Sequence, residues 1–182
     1  LNTPSDRLRD NPSKYLLYCD PFMGIFDAHI TEGVNAYYKE LYNKLSAIKA
    51  TDDYKPYFES AAALADVLSV KAELGIKTRA AYLAGDTKAL KCIAENDYTA
   101  AIEKLRSFHT KFRKFWFFEN KPHGFDVQDI RLGGLIMRLE SCRDRLLEFC
   151  DDTEKKIPEL SEPVLEDERF RFWENIATAN VM

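Results

Sequence analysis

The stretch from Glu119 to Arg131 gathers more polar chemistry than a turn between two helices requires. It holds Glu119, Lys121, His123, Asp126, Gln128, Asp129 and Arg131, punctuated by Pro122 and Gly124. Carboxylates, an ammonium, an imidazole, an amide and a guanidinium on one loop are groups that bind polar ligands and partner surfaces. Loops held by a rigid scaffold carry such groups disproportionately often. These residues are therefore the candidate binding or interface groups. Arg131 is the strongest of them, since its planar fork can hold a carboxylate across an interface. The plainer reading is that Asp126 or Asp129 caps the following helix while Lys121 and Arg131 make surface ion pairs.

Elsewhere the residue spacings exclude more than they offer. His29, His109 and His123 share no i,i+3 or i,i+4 relation, and no ExxH motif occurs, so neither a helical metal pair nor a di-metal carboxylate bundle is encoded. Cys19, Cys92, Cys142 and Cys150 lack CxxC spacing. Cys142 and Cys150 fall on one expected helix about 12 Å apart, too far for a disulfide. Gly133 and Gly134 lack the remaining glycines and the Lys of a phosphate loop. They read instead as small residues that let two helices approach closely. Adjacent acids at Asp151 and Asp152, and at Glu166, Asp167 and Glu168, have no apolar surroundings to raise one pKa and read as solvated. No catalytic residue, metal ligand or cofactor is assigned.

The elements that position the polar loop follow from hydrophobic spacing. The chain is 46% hydrophobic with few glycines and prolines, so the turns that many short strands need are in short supply. Ile30, Val34, Tyr38, Leu41, Leu45 and Ile48 predict a helix from Asp27 to about Ala50. Phe58, Leu64, Leu68, Ala72 and Ala80 continue a second to about Ala84, with a kink or close crossing at Gly75. Gly85 and Asp86 read as a C-cap and a new N-cap. A third helix runs to about Glu119 through Leu90, Ile102, Leu105, Phe108 and Phe112, with Asn96 and Asp97 as an interruption. The fourth runs from about Asp129 to Lys156.

The expected fold is all-α: an antiparallel bundle of four long helices over residues 27–182, preceded by a connector over residues 1–26. The connector is rich in large apolar groups (Tyr15, Leu16, Leu17, Tyr18, Phe22, Ile25, Phe26), so it packs on its own bundle or on a neighbour. After Pro158 and Pro163, the aromatics Phe170, Phe172 and Trp173 form a tail or a short fifth helix.

The charge balance is 26 basic to 30 acidic, a net of −4, with both signs interleaved, which disfavours a nucleic-acid partner. The most basic stretch, Lys104 to Lys114, carries aromatics at helical spacing and reads as a solvated face backed by a core stripe. No run of apolar residues is long enough to span a bilayer, so no membrane partner is expected. Unpaired thiols point to a reducing, cytoplasmic setting.

Four segments carry a resemblance: NPSKYLLYCDPFMGIFD at residues 11–27, KTRAAY at 77–82, ENKPHGFDVQDIRLGG at 119–134 and IATANV at 176–181. In order and over nearly the whole chain, they resemble the C-terminal helical domain of a subgroup of family 20 glycoside hydrolases, the β-N-acetylhexosaminidases. The resemblance implies an upstream catalytic barrel that releases terminal β-linked N-acetylhexosamine by substrate-assisted catalysis, using an adjacent Asp–Glu pair. The Asp–Glu dipeptide here, Asp167–Glu168, lacks the family's preceding His and Gly, so no catalytic role is carried over. The resemblance implies a noncatalytic accessory domain that packs on the barrel or on a second copy as a homodimer. The residues alone leave open a free-standing helical interaction module unrelated to glycosidases.

Overall fold

The computed structural model describes residues 12–24 and 26–164, and among them the fold is all-helical with no strand. The helices are α1 (Pro12–Tyr18), α2 (Val34–Ser46), α3 (Lys55–Lys71), α4 (Leu74–Leu83), α5 (Thr87–Cys92), α6 (Thr99–Glu119), α7 (Phe125–Asp151) and the short α8 (Pro158–Ser161). The aromatic tail from Phe170 onward lies outside the described residues.

The all-α expectation is met, but the four long helices are divided further. The first begins at Val34 rather than Asp27, because Gly33 adopts a left-handed φ of 91° and residues Asp27–His29 make a separate 3₁₀ turn. The second divides into α3 and α4. At the break, the Glu73 N–H donates to Asn35 Oδ1 at 3.1 Å, while Glu73 Oε1 accepts the Asn35 N–H at 2.9 Å. A buried acid thus caps the start of α2 and diverts its own amide from helix bonding. In the third, the Asn96 and Asp97 region forms a π-helical turn, Ile93–Tyr98, that joins α5 to α6. Asp86 is the expected N-cap, accepting from the Ala89 N–H at 2.9 Å. The fourth starts at Phe125, four positions before the expected Asp129, because Gly124 turns the chain with a φ of 94°.

One core unites these elements. Leu68, Leu105, Leu139 and Leu146 are fully buried in it, joined by Phe108 and Leu135, with Leu64 and Phe112 partly buried at its margin. The expected pairs Leu64/Leu68, Phe108/Phe112 and Leu135/Leu139 therefore share one interior. Helices α3 and α6 run antiparallel, since Tyr57 meets Phe115 while Asp66 meets Lys104. Helices α6 and α7 do likewise, with His109 beside Asp129 and Arg106 beside Glu140.

The connector residues Leu16, Leu17, Phe22 and Phe26 are buried, with Phe22 at 0% exposure. Of the two surfaces left open by their composition, Leu16, Leu17 and Phe22 use the bundle itself, while Phe26 is buried among Tyr15, Tyr18 and Cys19 of the connector. They form no exposed apolar patch for a neighbour.

Candidate functional site

The polar loop is built by an aromatic hinge. Phe125, at the first turn of α7, is buried against Phe112, Trp116 and Phe117 of α6, with ring centroids 5.3–5.8 Å away. The Trp116 indole N–H donates to the Lys121 carbonyl at 3.1 Å, and the Gly124 N–H donates to Asp126 Oδ1 at 3.0 Å. The turn is thereby fixed from both sides; Asp126 bonds back to the residue before α7, and no side chain among the described residues caps the first turn of that helix.

The candidate residues then diverge. Glu119 ends α6 and is exposed, as are Lys121, His123 and Asp126 around the rim of the turn. Gln128 is half-buried on α7. Asp129 points across to α6, where its Oδ1 lies 2.6 Å from His109 Nε2. Arg131 is half-buried on another side of α7, near Tyr18 of the connector. Burial pushes the Tyr18 phenol up from its ordinary pKa, and the positive charge of Arg131 pulls it back.

His109 and Asp129 open onto a shallow cleft of about 400 Å³, lined also by Arg106, Thr110, Gly133 and Ile136. Arg106 is paired with Glu140 at 2.8 Å. The Thr110 hydroxyl is turned back to the Arg106 carbonyl at 3.1 Å. The cleft therefore offers an oriented imidazole and a carboxylate to a polar group, with its hydroxyl already engaged. Gly133 and Gly134 are exposed, and a Cβ on either would meet nothing within 4 Å. Within the described chain they admit no close helix crossing, so the expected helix–helix contact is not made by this bundle.

A second polar cluster, which spacing did not single out, joins the connector to α4. The Arg79 guanidinium is buried and donates to the carbonyls of Phe22 at 2.6 Å, Glu159 at 3.1 Å, Leu160 at 3.2 Å and Glu162 at 3.1 Å. Its Nε faces Asp27 Oδ2 at 3.5 Å, an ion pair too long for a hydrogen bond. Among the described residues, neither Asp27 oxygen has a hydrogen-bond partner, though both are buried. Burial pushes the Asp27 carboxyl up from its ordinary value, against the pull of Arg79.

This cluster brings together two of the segments on which the resemblance rests, residues 11–27 and 77–82. Compared with known families, residues 2–176 match the model described as the Glycoside Hydrolase 20C C-terminal domain. The chain belongs to this family. A search of curated proteins finds no match. A Glycoside Hydrolase 20C C-terminal domain is by description the C-terminal part of a larger glycoside hydrolase polypeptide.

Two thiols of the 20C domain are held away from their reactive form. All four cysteines are free, and Cys142 is buried. Burial pushes the Cys142 thiol up to about 12 and the Cys19 thiol to about 11, away from the thiolate form that reacts. Among the described residues, no group of three or more His, Cys, Asp or Glu is arranged to hold a metal ion. No helix there is long and apolar enough to cross a membrane.

Proposed function

We propose that this chain is the noncatalytic C-terminal accessory domain of a β-N-acetylhexosaminidase. In this reading it packs on the catalytic barrel of the same polypeptide or on a second subunit, and it shapes the substrate entrance with the loop from Glu119 to Arg131. The family match over residues 2–176 carries the reading. One feature of the bundle end supports a packing role there. Tyr54, Tyr57, Phe117 and Phe118 are all about half or more exposed, at 49–64%, around the turns that precede α3 and follow α6. Exposed aromatics beside polar groups favour a protein or sugar contact over bare solvent.

The substrate class of the parent is a glycan ending in β-linked N-acetylglucosamine or N-acetylgalactosamine, with no cofactor. The domain contributes binding and orientation, and the acid and the acetamide-orienting Asp belong to the barrel. Two measurements test this. The 182-residue chain should leave an aryl β-N-acetylglucosaminide unhydrolysed while the longer polypeptide that includes the upstream region hydrolyses it. Turnover by the chain alone, or an upstream region that encodes no barrel, overturns the assignment. In the active longer protein, Arg131→Ala should lower kcat/KM or domain docking. An unchanged kcat/KM together with an unchanged melting temperature removes the loop from the site.

A further inference from the structure

Residues 16–24 are held by cations from three helices. The Lys71 ammonium is buried and donates to the carbonyls of Leu16 at 3.1 Å and Cys19 at 2.7 Å, just where α1 ends. A cation at that position answers the unsatisfied carbonyls of a helix C-terminus. The Arg138 guanidinium forks onto the Asp20 carboxylate, whose other bonds come from the Phe22 and Met23 N–H groups at 2.9 and 3.1 Å. The Phe22 ring lies against both Arg138 and Arg145, with guanidinium carbons 5.5 and 5.3 Å from its centroid.

Two of the cations that touch this strap also hold the other end of the described chain. Arg79 binds the Phe22 carbonyl and the three carbonyls of Glu159, Leu160 and Glu162. Arg145, which stacks on Phe22, also forks onto the Glu159 carboxylate at 2.6 and 2.8 Å. Loss of the segment 157–162 would strip Arg79 of three acceptors and Arg145 of its counter-ion. Loss of the strap would uncover the same two guanidiniums on their other sides. Neither segment can leave without taking partners from a cation that the other still holds.

We propose that the strap 16–24 and the segment 157–162 form one cooperative latch, closed by Arg79 and Arg145, which opens as a unit distinct from the long helices. The latch stands on these contacts alone. Its consequence rests on the accessory-domain reading: a closed latch anchors the strap 16–24 on the bundle, on the side of the chain that leads to an upstream domain.

Hydrogen exchange of the 182-residue chain, resolved by peptide, tests the latch. Glu159→Gln weakens the pair with Arg145 at a partly exposed side chain and spares the carbonyls. It should speed exchange by about tenfold in both latch segments, with α3 and α6 unchanged. Arg79→Ala should open both segments further. Where Arg79→Ala fails to fold, Glu159→Gln decides alone. Faster exchange confined to 157–162, a uniform change over all helices, or no change in either segment overturns the latch. Failure of the accessory-domain reading appears separately, as activity in the isolated chain, and leaves this outcome untouched.

Discussion

The Arg79 guanidinium donates to the Phe22 carbonyl at 2.6 Å, across 57 positions of sequence, and so ties the connector to the helix that follows the break at Glu73. A guanidinium with four carbonyl partners and one neighbouring carboxylate is not replaceable by a point charge. Arg79→Met should destabilise the chain by about 3–5 kcal/mol, because it leaves buried carbonyls and the Asp27 carboxylate without their cation. Arg79→Lys should recover only a part of this, since one ammonium cannot span the same acceptors. Urea melts of the two variants against the parent chain check both statements, and equal midpoints for all three refute them.

Asp27 gives the opposite sign of pH dependence from that of most paired acids. Its carboxyl is raised above its ordinary value of 3.8 by burial, so the native state holds a proton that the unfolded chain has already released. The native state thus binds more protons between the two values, and the contribution to stability falls as pH rises through that interval. Asp27→Asn removes the titration, so the variant should gain on the parent as pH climbs through that interval above 3.8. Denaturant midpoints measured at several pH values follow this, and a parallel pair of pH profiles would falsify it.

Glu159 works in the other direction. The hydrogen bonds from Arg145 hold its carboxyl down at about 2, against an ordinary value of 4.5. Stability from this pair is present above the ordinary value and is lost as pH falls from about 4.5 to about 2. Asp20 has the same sign: burial raises its carboxyl, but the Arg138 pairing and two backbone N–H groups outweigh that and lower it. Glu159→Gln should flatten part of the acid limb of the stability profile and leave the rest to Asp20. An acid limb identical to that of the parent would exclude Glu159 from it.

The helical class and the core residues were legible because Phe108, Phe112, Leu135 and Leu139 repeat at helix spacing, and that spacing survives in the packed interior. The break at Glu73 was not legible, because it depends on Asn35, whose amide and side chain meet it only in the folded chain. Arg79 left a signal that went unused. Lys71, Gly75 and Arg79 continue the stripe of Leu64 and Leu68 at spacings of three or four, so two cations stand on a buried face. A charge on an apolar stripe must find acceptors, and these came from the connector and the segment after α7. The candidate loop was located by its composition, yet the partner of Asp129 was not, since His109 reaches it through the register of α6 against α7. No local spacing encodes that register.

Gly133 and Gly134 give the last prediction. Glycine inside a helix is less favourable than alanine by about 0.5–1 kcal/mol, through the backbone freedom it loses on folding. Here both positions lie on the exposed side of α7 with open space over them, so the isolated chain gains nothing from their small size. Gly133→Ala and Gly134→Ala should each stabilise the 182-residue chain by roughly that amount, as read from its thermal or urea transition. In the longer protein the expectation reverses if the cleft beside His109 and Asp129 receives a neighbouring backbone. The methyl group at position 133, which lines the cleft, would then hold that backbone away, lowering kcat/KM or the melting temperature of the whole enzyme. Stabilisation in the short chain with a loss in the long one identifies this face of α7 as a contact surface. Stabilisation of both proteins alike leaves it as solvent-facing helix and removes the cleft from the proposed interface.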